Sequence, residues 1–101
     1  RIYGHSMLIP VKIIEKYGFM DTQYFMFYEE TDYCLMLHKK GIQSIFVPTS
    51  VIMHISTSTF KLSEHMKYIG IYYGMRNKIH YNRRFGYDEY KKDIMRRGGL
   101  I

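Results

Sequence analysis

The sequence has little of what marks secreted or membrane-spanning proteins. Its single cysteine, Cys34, excludes an intramolecular disulfide and favours a reducing compartment. There is no run of about 18 apolar residues and no signal peptide, so we expect neither a membrane span nor secretion. With 101 residues the chain is at most one small domain, and a hydrophobic fraction of 47% is enough to form a core.

Positive charge is concentrated in the second half of the chain. Lys and Arg number 15 against 9 Asp and Glu, a net charge of +6, and most of the basic residues lie between Lys61 and Arg97. This basic region predicts an anionic partner, which is either phospholipid, a diphosphate or nucleic acid.

The most informative stretch is residues 24–41, where an aromatic run leads into the acids Glu29, Glu30 and Asp32. Acids at the front, lysines at the back and a final glycine predict a helix over about 29–40. The acids have two interpretations. They complement the N-terminal helix dipole, as such clusters commonly do, or they form a site, because partly desolvated carboxylates beside aromatic rings suit a general base.

The remaining elements follow from local signals. Apolar runs within residues 2–10, 42–47 and 51–55 predict strands. Pro10 and Gly18 bound a short helix, and residues 64–84 predict a long one. Gly70 and Gly74, four residues apart on the long helix, predict close packing on a neighbouring helix. Residues 56–61 are a surface loop or a lid, and residues 86–95 predict a last short helix.

Four pieces of sequence together resemble the second half of a family 2 glycosyltransferase catalytic domain, in its rhamnosyltransferase-like branch. They are residues 18–21 (GFMD), residues 24–35 (YFMFYEETDYCL), residues 40–48, which begin with KG and end with FVP, and residues 72–78 (YYGMRNK). The resemblance implies a partial GT-A-type α/β domain, with a short mixed sheet flanked by helices and without the N-terminal nucleotide-binding half. Residues 1–62 would be the acceptor-side part, and residues 63–101 a helical, basic extension.

The resemblance also implies a chemistry. Glu30 matches the general base of an inverting enzyme that transfers a sugar from a nucleotide-sugar donor to an acceptor hydroxyl, with Glu29 and Asp32 beside it. Gly4 and His5 match a segment facing the sugar. By the residues alone, Gly4 equally suits close strand packing.

Two further positions match functional residues of the family. His54 matches a ligand of the divalent cation, Mn²⁺ or Mg²⁺, expected in the full-length enzyme, and Arg76 and Asn77 match a pair facing the cleft. The plain alternatives are a hydrogen-bonded structural histidine and a surface arginine in an ion pair.

The sequence departs from the family in two ways. It contains no Asp-x-Asp motif, the donor and metal motif of the family, so we expect an inactive fragment with no cation bound. Met36 also stands where the family has an arginine. The expected partners are a nucleotide sugar, a glycan or lipid-linked acceptor, an anionic membrane and a second copy of the chain. The expected location is the cytoplasm or the inner face of the membrane. The alternative function is a non-catalytic module that binds nucleic acid or an anionic surface through the basic helices.

Overall fold

The computed structural model describes residues 4–55, 64–86 and 91–92. Its elements are α1 (Val11–Tyr17), a 3₁₀ turn (Thr22–Tyr24), α2 (Glu29–Lys39) and α3 (Glu64–Phe85). These described residues are 58% helical and contain no strand. The prediction of an α/β fold with a short mixed sheet is therefore wrong, and this part of the chain is a small helical domain.

The helices begin and end where local signals place them. α1 follows Pro10 and stops at Gly18, whose φ of 83° is favoured by glycine and whose N–H donates to Ile14 O at 2.8 Å. α2 has three acids in its first turn and is followed by Gly41 with φ 84°. The three predicted helices are thus confirmed. Of the predicted last helix, only residues 91 and 92 are described, and they are helical; the predicted lid lies outside the described residues.

The segments predicted as strands are instead unpaired, irregular chain. Residues 7–9, 42–47 and 51–55 have no strand pairing, and most of their apolar side chains are exposed: Leu8, Phe46 and Met53 are 97%, 85% and 93% exposed. A strand needs a neighbouring backbone to satisfy its N–H and C=O groups. An apolar run signals a preference for burial but does not supply that neighbour.

The core lies where α2 and α3 pack against the chain between α1 and α2. Its buried aromatic residues are Tyr24, Tyr33 and Tyr81, and the buried polar ones are Thr31, Asp32 and Asn77. Residues from both predicted regions, 1–62 and 63–101, therefore share one core. Its high polar content means that hydrogen bonds, rather than apolar area alone, decide how the elements fit together.

Candidate functional site

The aromatic segment, residues 24–28, has an unusual backbone. Phe25, Phe27 and Tyr28 have φ values of 60°, 68° and 71°, in a region that side-chain-bearing residues rarely adopt. The N–H of Met26 donates to Tyr24 O at 2.6 Å, which closes a three-residue γ-turn with positive φ at Phe25. Each such residue costs on the order of 1–3 kcal/mol, so the surrounding structure must hold the segment in place.

Asn77 on α3 holds the aromatic segment in this conformation. Its side chain is fully buried, and its amide nitrogen donates to the carbonyl oxygens of Tyr24, Met26 and Phe27 at 2.7, 2.5 and 3.0 Å. The amide is therefore occupied by main chain, and the structure gives Asn77 a positioning role. Its predicted role toward substrate stays a prediction.

Arg76, the preceding residue, binds the same segment. Its guanidinium donates to Gln23 O, and to Tyr24 O at 3.3 Å, and lies over the ring of Tyr73 at 4.6 Å. Arg76 also donates through Nε to Asn77 Oδ1 at 3.1 Å, which orients the amide. The Arg-Asn pair is thus physically coupled to the aromatic segment across about fifty residues of sequence.

This arrangement determines where α2 begins. Tyr28 is the residue before the helix, in left-handed conformation, and its carbonyl accepts the N–H of Asp32 at 2.8 Å. Glu29 and Glu30 follow immediately in the first turn. Holding the aromatic segment therefore also orients the two predicted catalytic carboxylates.

Asp32, the third predicted acid, faces the interior. Its side chain is 3% exposed, accepts the Tyr24 hydroxyl at 2.5 Å and pairs with Arg84 at 3.2 Å. Burial raises the pKa of Asp32 above its usual value, while the Tyr24 hydrogen bond and the Arg84 charge oppose that rise. Burial and the Asp32 carboxylate raise the pKa of Tyr24. Asp32 is consequently placed to join α2 to α3.

Asp21 extends this network to the 3₁₀ turn. As predicted it is a capping residue, accepting Gln23 N–H at 2.9 Å. Its other oxygen lies 3.2 Å from His80 Nε2 and 3.5 Å from Arg84. The backbone hydrogen bond from Gln23 is the main cause of a lowered pKa for Asp21. Arg84 thus pairs with two carboxylates, those of Asp21 and Asp32.

An open cleft of about 460 Å³ lies between the aromatic segment and α3. Its charged lining residues are Glu30 and Lys78, and the others are Phe27, Tyr28, Gly70, Ile71, Gly74 and Met75. A Cβ added at Gly74 would meet nothing within 4 Å. No other element therefore packs closely on Gly74 among the described residues, so the predicted close helix packing is not seen at this glycine.

The Glu30 side chain also lies close to the backbone of Gly4. A Cβ at Gly4 would lie 3.8–3.9 Å from Glu30 side-chain carbons, which is ordinary van der Waals contact. The next residue, His5, stacks on His54 with ring centroids 4.1 Å apart and planes 10° from parallel. The structure therefore places predicted site residues in two neighbouring pairs, Gly4 with Glu30 and His5 with His54, which the Gly4–His5 peptide bond joins.

The described residues do not supply a metal site by themselves. They contain no group of three or more His, Cys, Asp or Glu side chains that could hold an ion. In a stacked pair the nitrogen lone pairs lie in parallel planes and do not converge on one ion, so His5 and His54 do not fit as ligands of the same cation. The Mn²⁺ or Mg²⁺ expected in the full-length enzyme, with His54 as one ligand, stays a prediction.

No protein-family model, curated protein or solved structure matches the chain. The glycosyltransferase resemblance consequently depends on the motifs and on where the structure places them. Sequence reasoning missed Lys78 as a cleft residue, although it directly follows the Arg-Asn pair. It also missed the Asp21, His80 and Arg84 cluster, for which the sequence carries no local signal, because Asp21 is 59 residues from His80.

Proposed function

We propose that this chain carries the acceptor-activating residues of an inverting sugar transferase, with Glu30 as general base. The observation that supports it is the convergence at Glu30 of segments far apart in sequence. The Gly4 backbone lies close to the Glu30 side chain, the next residue His5 stacks on His54, and Glu30 also lines the cleft. These are positions at which the resemblance expects a site.

The cleft suits a sugar acceptor. Its volume of about 460 Å³ falls within the range of small-molecule sites. Phe27 and Tyr28 offer apolar ring surface to the C–H face of a sugar, while Glu30 accepts and Lys78 donates hydrogen bonds to hydroxyl groups. The two charged groups in an otherwise mostly apolar lining would orient the acceptor.

The proposed step is a single displacement. The Glu30 carboxylate takes the proton of the acceptor hydroxyl as its oxygen attacks the anomeric carbon of the donor, and the nucleoside diphosphate leaves with the electrons of its bond to the sugar. Inversion follows from attack opposite the leaving group. Glu29 is the neighbouring carboxylate, and Arg76 and Asn77 act indirectly by holding the chain that leads into α2.

Nucleic-acid binding by the basic helices is less well supported. Arg76 binds main-chain carbonyls, and Arg84 pairs with Asp21 and Asp32. Two of the cations that such a module would present to phosphates are therefore engaged within the fold.

The test compares Glu30→Gln with Glu29→Gln in the complete protein. Radiolabelled dTDP-rhamnose and UDP-glucose serve as donors and methyl glycosides as acceptors. We expect Glu30→Gln to lower kcat by about 10²–10⁴-fold with little change in the acceptor KM, because a general base contributes to the transition state. Glu29→Gln, which keeps the base, should lose much less. Full transfer by Glu30→Gln, or no transfer from either donor, would contradict the proposal.

A further inference from the structure

α3 carries an apolar stripe on the side facing away from the core. Its members, 55–68% exposed, are Tyr68, Ile71, Tyr72, Met75 and Ile79. At 100° per residue these positions fall within an arc of about 100° that extends roughly 16 Å along the helix. The opposite face of α3 holds Asn77 and Tyr81, which are buried. An exposed stripe of this size on a packed helix marks an interaction surface.

Basic residues border the stripe on both edges. Lys67 and Lys78 lie on one edge and Arg83 on the other, by the same helical geometry. Glu64, in the first turn, is the one acid in the sequence of α3. A stripe rich in tyrosine between basic edges is the pattern of helices that lie in the plane of an anionic bilayer.

We propose that the α3 stripe docks the protein on an anionic lipid surface, with α3 lying flat in the headgroup region. No helix in the described ranges is long and apolar enough to cross a bilayer, and a surface orientation requires none. A second copy of the chain suits the stripe less well. Pairing two stripes face to face would bring basic edges together, and like charges oppose such contact.

Docking in this way would also place the cleft at the lipid surface. Ile71 and Met75 belong to both the stripe and the cleft lining, and Lys78 borders both. The cleft would therefore open beside the headgroups, where an acceptor carried on a lipid would be within reach. The docking itself does not depend on the proposed chemistry, so Glu30→Gln should bind lipid as the wild type does.

The experiment is flotation of the complete protein with vesicles. One set contains equal parts of phosphatidylcholine and phosphatidylglycerol, and the other phosphatidylcholine alone. We expect binding to the anionic set only, weakened by added salt. Lys67→Gln and Arg83→Gln should each lower the affinity about fivefold, since each basic residue near a charged surface contributes about 1 kcal/mol.

The stripe itself is tested away from the cleft. The double variant Tyr68→Ser/Ile79→Ser should bind about tenfold or more weakly, because it removes apolar surface from the lipid contact. Leu8→Ser/Val11→Ser removes two exposed apolar side chains elsewhere and should bind as the wild type does. Far-ultraviolet circular dichroism checks that all variants keep their helix content.

A fluorescent reporter locates the contact. The sequence contains no tryptophan, so Tyr68→Trp gives a single signal, which should shift to the blue on addition of anionic vesicles. Phe19→Trp, which replaces a residue packed against Tyr33 of α2, should not shift.

Equal vesicle binding by Tyr68→Ser/Ile79→Ser and wild type would overturn the proposal. A second outcome would also overturn it: the wild type binds no vesicles but self-associates in sedimentation, and Tyr68→Ser/Ile79→Ser does not. The stripe would then be the contact with a second copy of the chain.

Discussion

Two regions of this molecule contrast in how their chain is held. Where residues 21–33 meet α3, buried side chains bind main chain and one another at short range. In residues 42–55, apolar side chains lie exposed and no strand forms. Helices satisfy most of their own backbone groups and need only side-chain contacts, whereas strands need another backbone. The predicted helices can therefore form in this chain while the segments predicted as strands stay unpaired.

The largest expected effect is at Asn77, which holds the contact region together. Asn77→Leu keeps a similar size but leaves the carbonyls of Met26 and Phe27 without the Asn77 donor, while Tyr24 O still accepts from Arg76 and from the Met26 N–H. We expect the free energy of unfolding to fall by about 3–4 kcal/mol, because buried acceptors left unsatisfied cost about 1–3 kcal/mol each. Urea unfolding followed by circular dichroism measures it.

Asn82 on the same helix provides the matched control. Its side-chain oxygen is buried and has no hydrogen-bond partner among the described residues. Asn82→Leu should therefore change stability little or raise it, since no hydrogen bond to that oxygen is lost. Equal losses at Asn77 and Asn82 would show that the three carbonyl contacts do not hold the aromatic segment.

Arg84→Met should have the next largest effect. It leaves the Asp32 carboxylate in the interior without its cation, and we expect a loss of about 2–3 kcal/mol at neutral pH. The value lies below that for a fully buried pair because the Arg84 side chain is 39% exposed. Arg83→Met, an exposed neighbour, should stay within about 0.5 kcal/mol of the wild type.

The pH dependence of this variant follows from the two acids. The pKa of Asp32 is higher in the folded state than in the unfolded state, so the folded protein holds the Asp32 proton more readily. The contribution of Asp32 to stability therefore falls as the pH rises from its unfolded-state pKa through its folded-state pKa. Asp21, with a lowered pKa, contributes stability above its unfolded pKa that is lost as pH falls through the folded one. Without Arg84 the Asp32 pKa rises further, so the difference from wild type should shrink in acid. Urea unfolding at neutral and mildly acidic pH tests this, and a constant difference would contradict it.

The sequence predicts the helices well because their signals are local. Pro10, Gly18, the acids at residues 29–32 and Gly41 each mark a boundary that the structure confirms. The sequence does not predict the positive φ values of the aromatic segment, because phenylalanine residues such as Phe25 and Phe27 rarely adopt them. The hydrogen bonds that hold this conformation come from Asn77, about fifty residues away in the sequence. Nor does the sequence separate a strand from an exposed extended run, because pairing depends on a partner that the local sequence does not encode.

For the candidate site, the sequence indicates which residues lie near one another better than it indicates which of them face the core. The motif groups Gly4, His5, Glu30 and His54, and the structure places Gly4 beside Glu30 and His5 against His54. The same motif treats Asp32 and Asn77 as functional, yet both are buried and bound to the chain. Residue type and spacing alone do not distinguish a carboxylate facing a cleft from one facing the core, because that depends on how α2 rotates against α3.

The smallest expected effect on stability is in the exposed region. Phe46 is 85% exposed, so Phe46→Ser should change the free energy of unfolding by no more than about 0.5 kcal/mol. Its effect should appear instead in self-association, since an exposed aromatic side chain in unpaired chain favours contact with another copy. Sedimentation should therefore show less association for Phe46→Ser, and no change for Gln43→Ser in the same segment. A loss above about 1.5 kcal/mol would mean that Phe46 is packed in solution, because surface substitutions do not cost that much. The contrast between the two regions would then no longer hold.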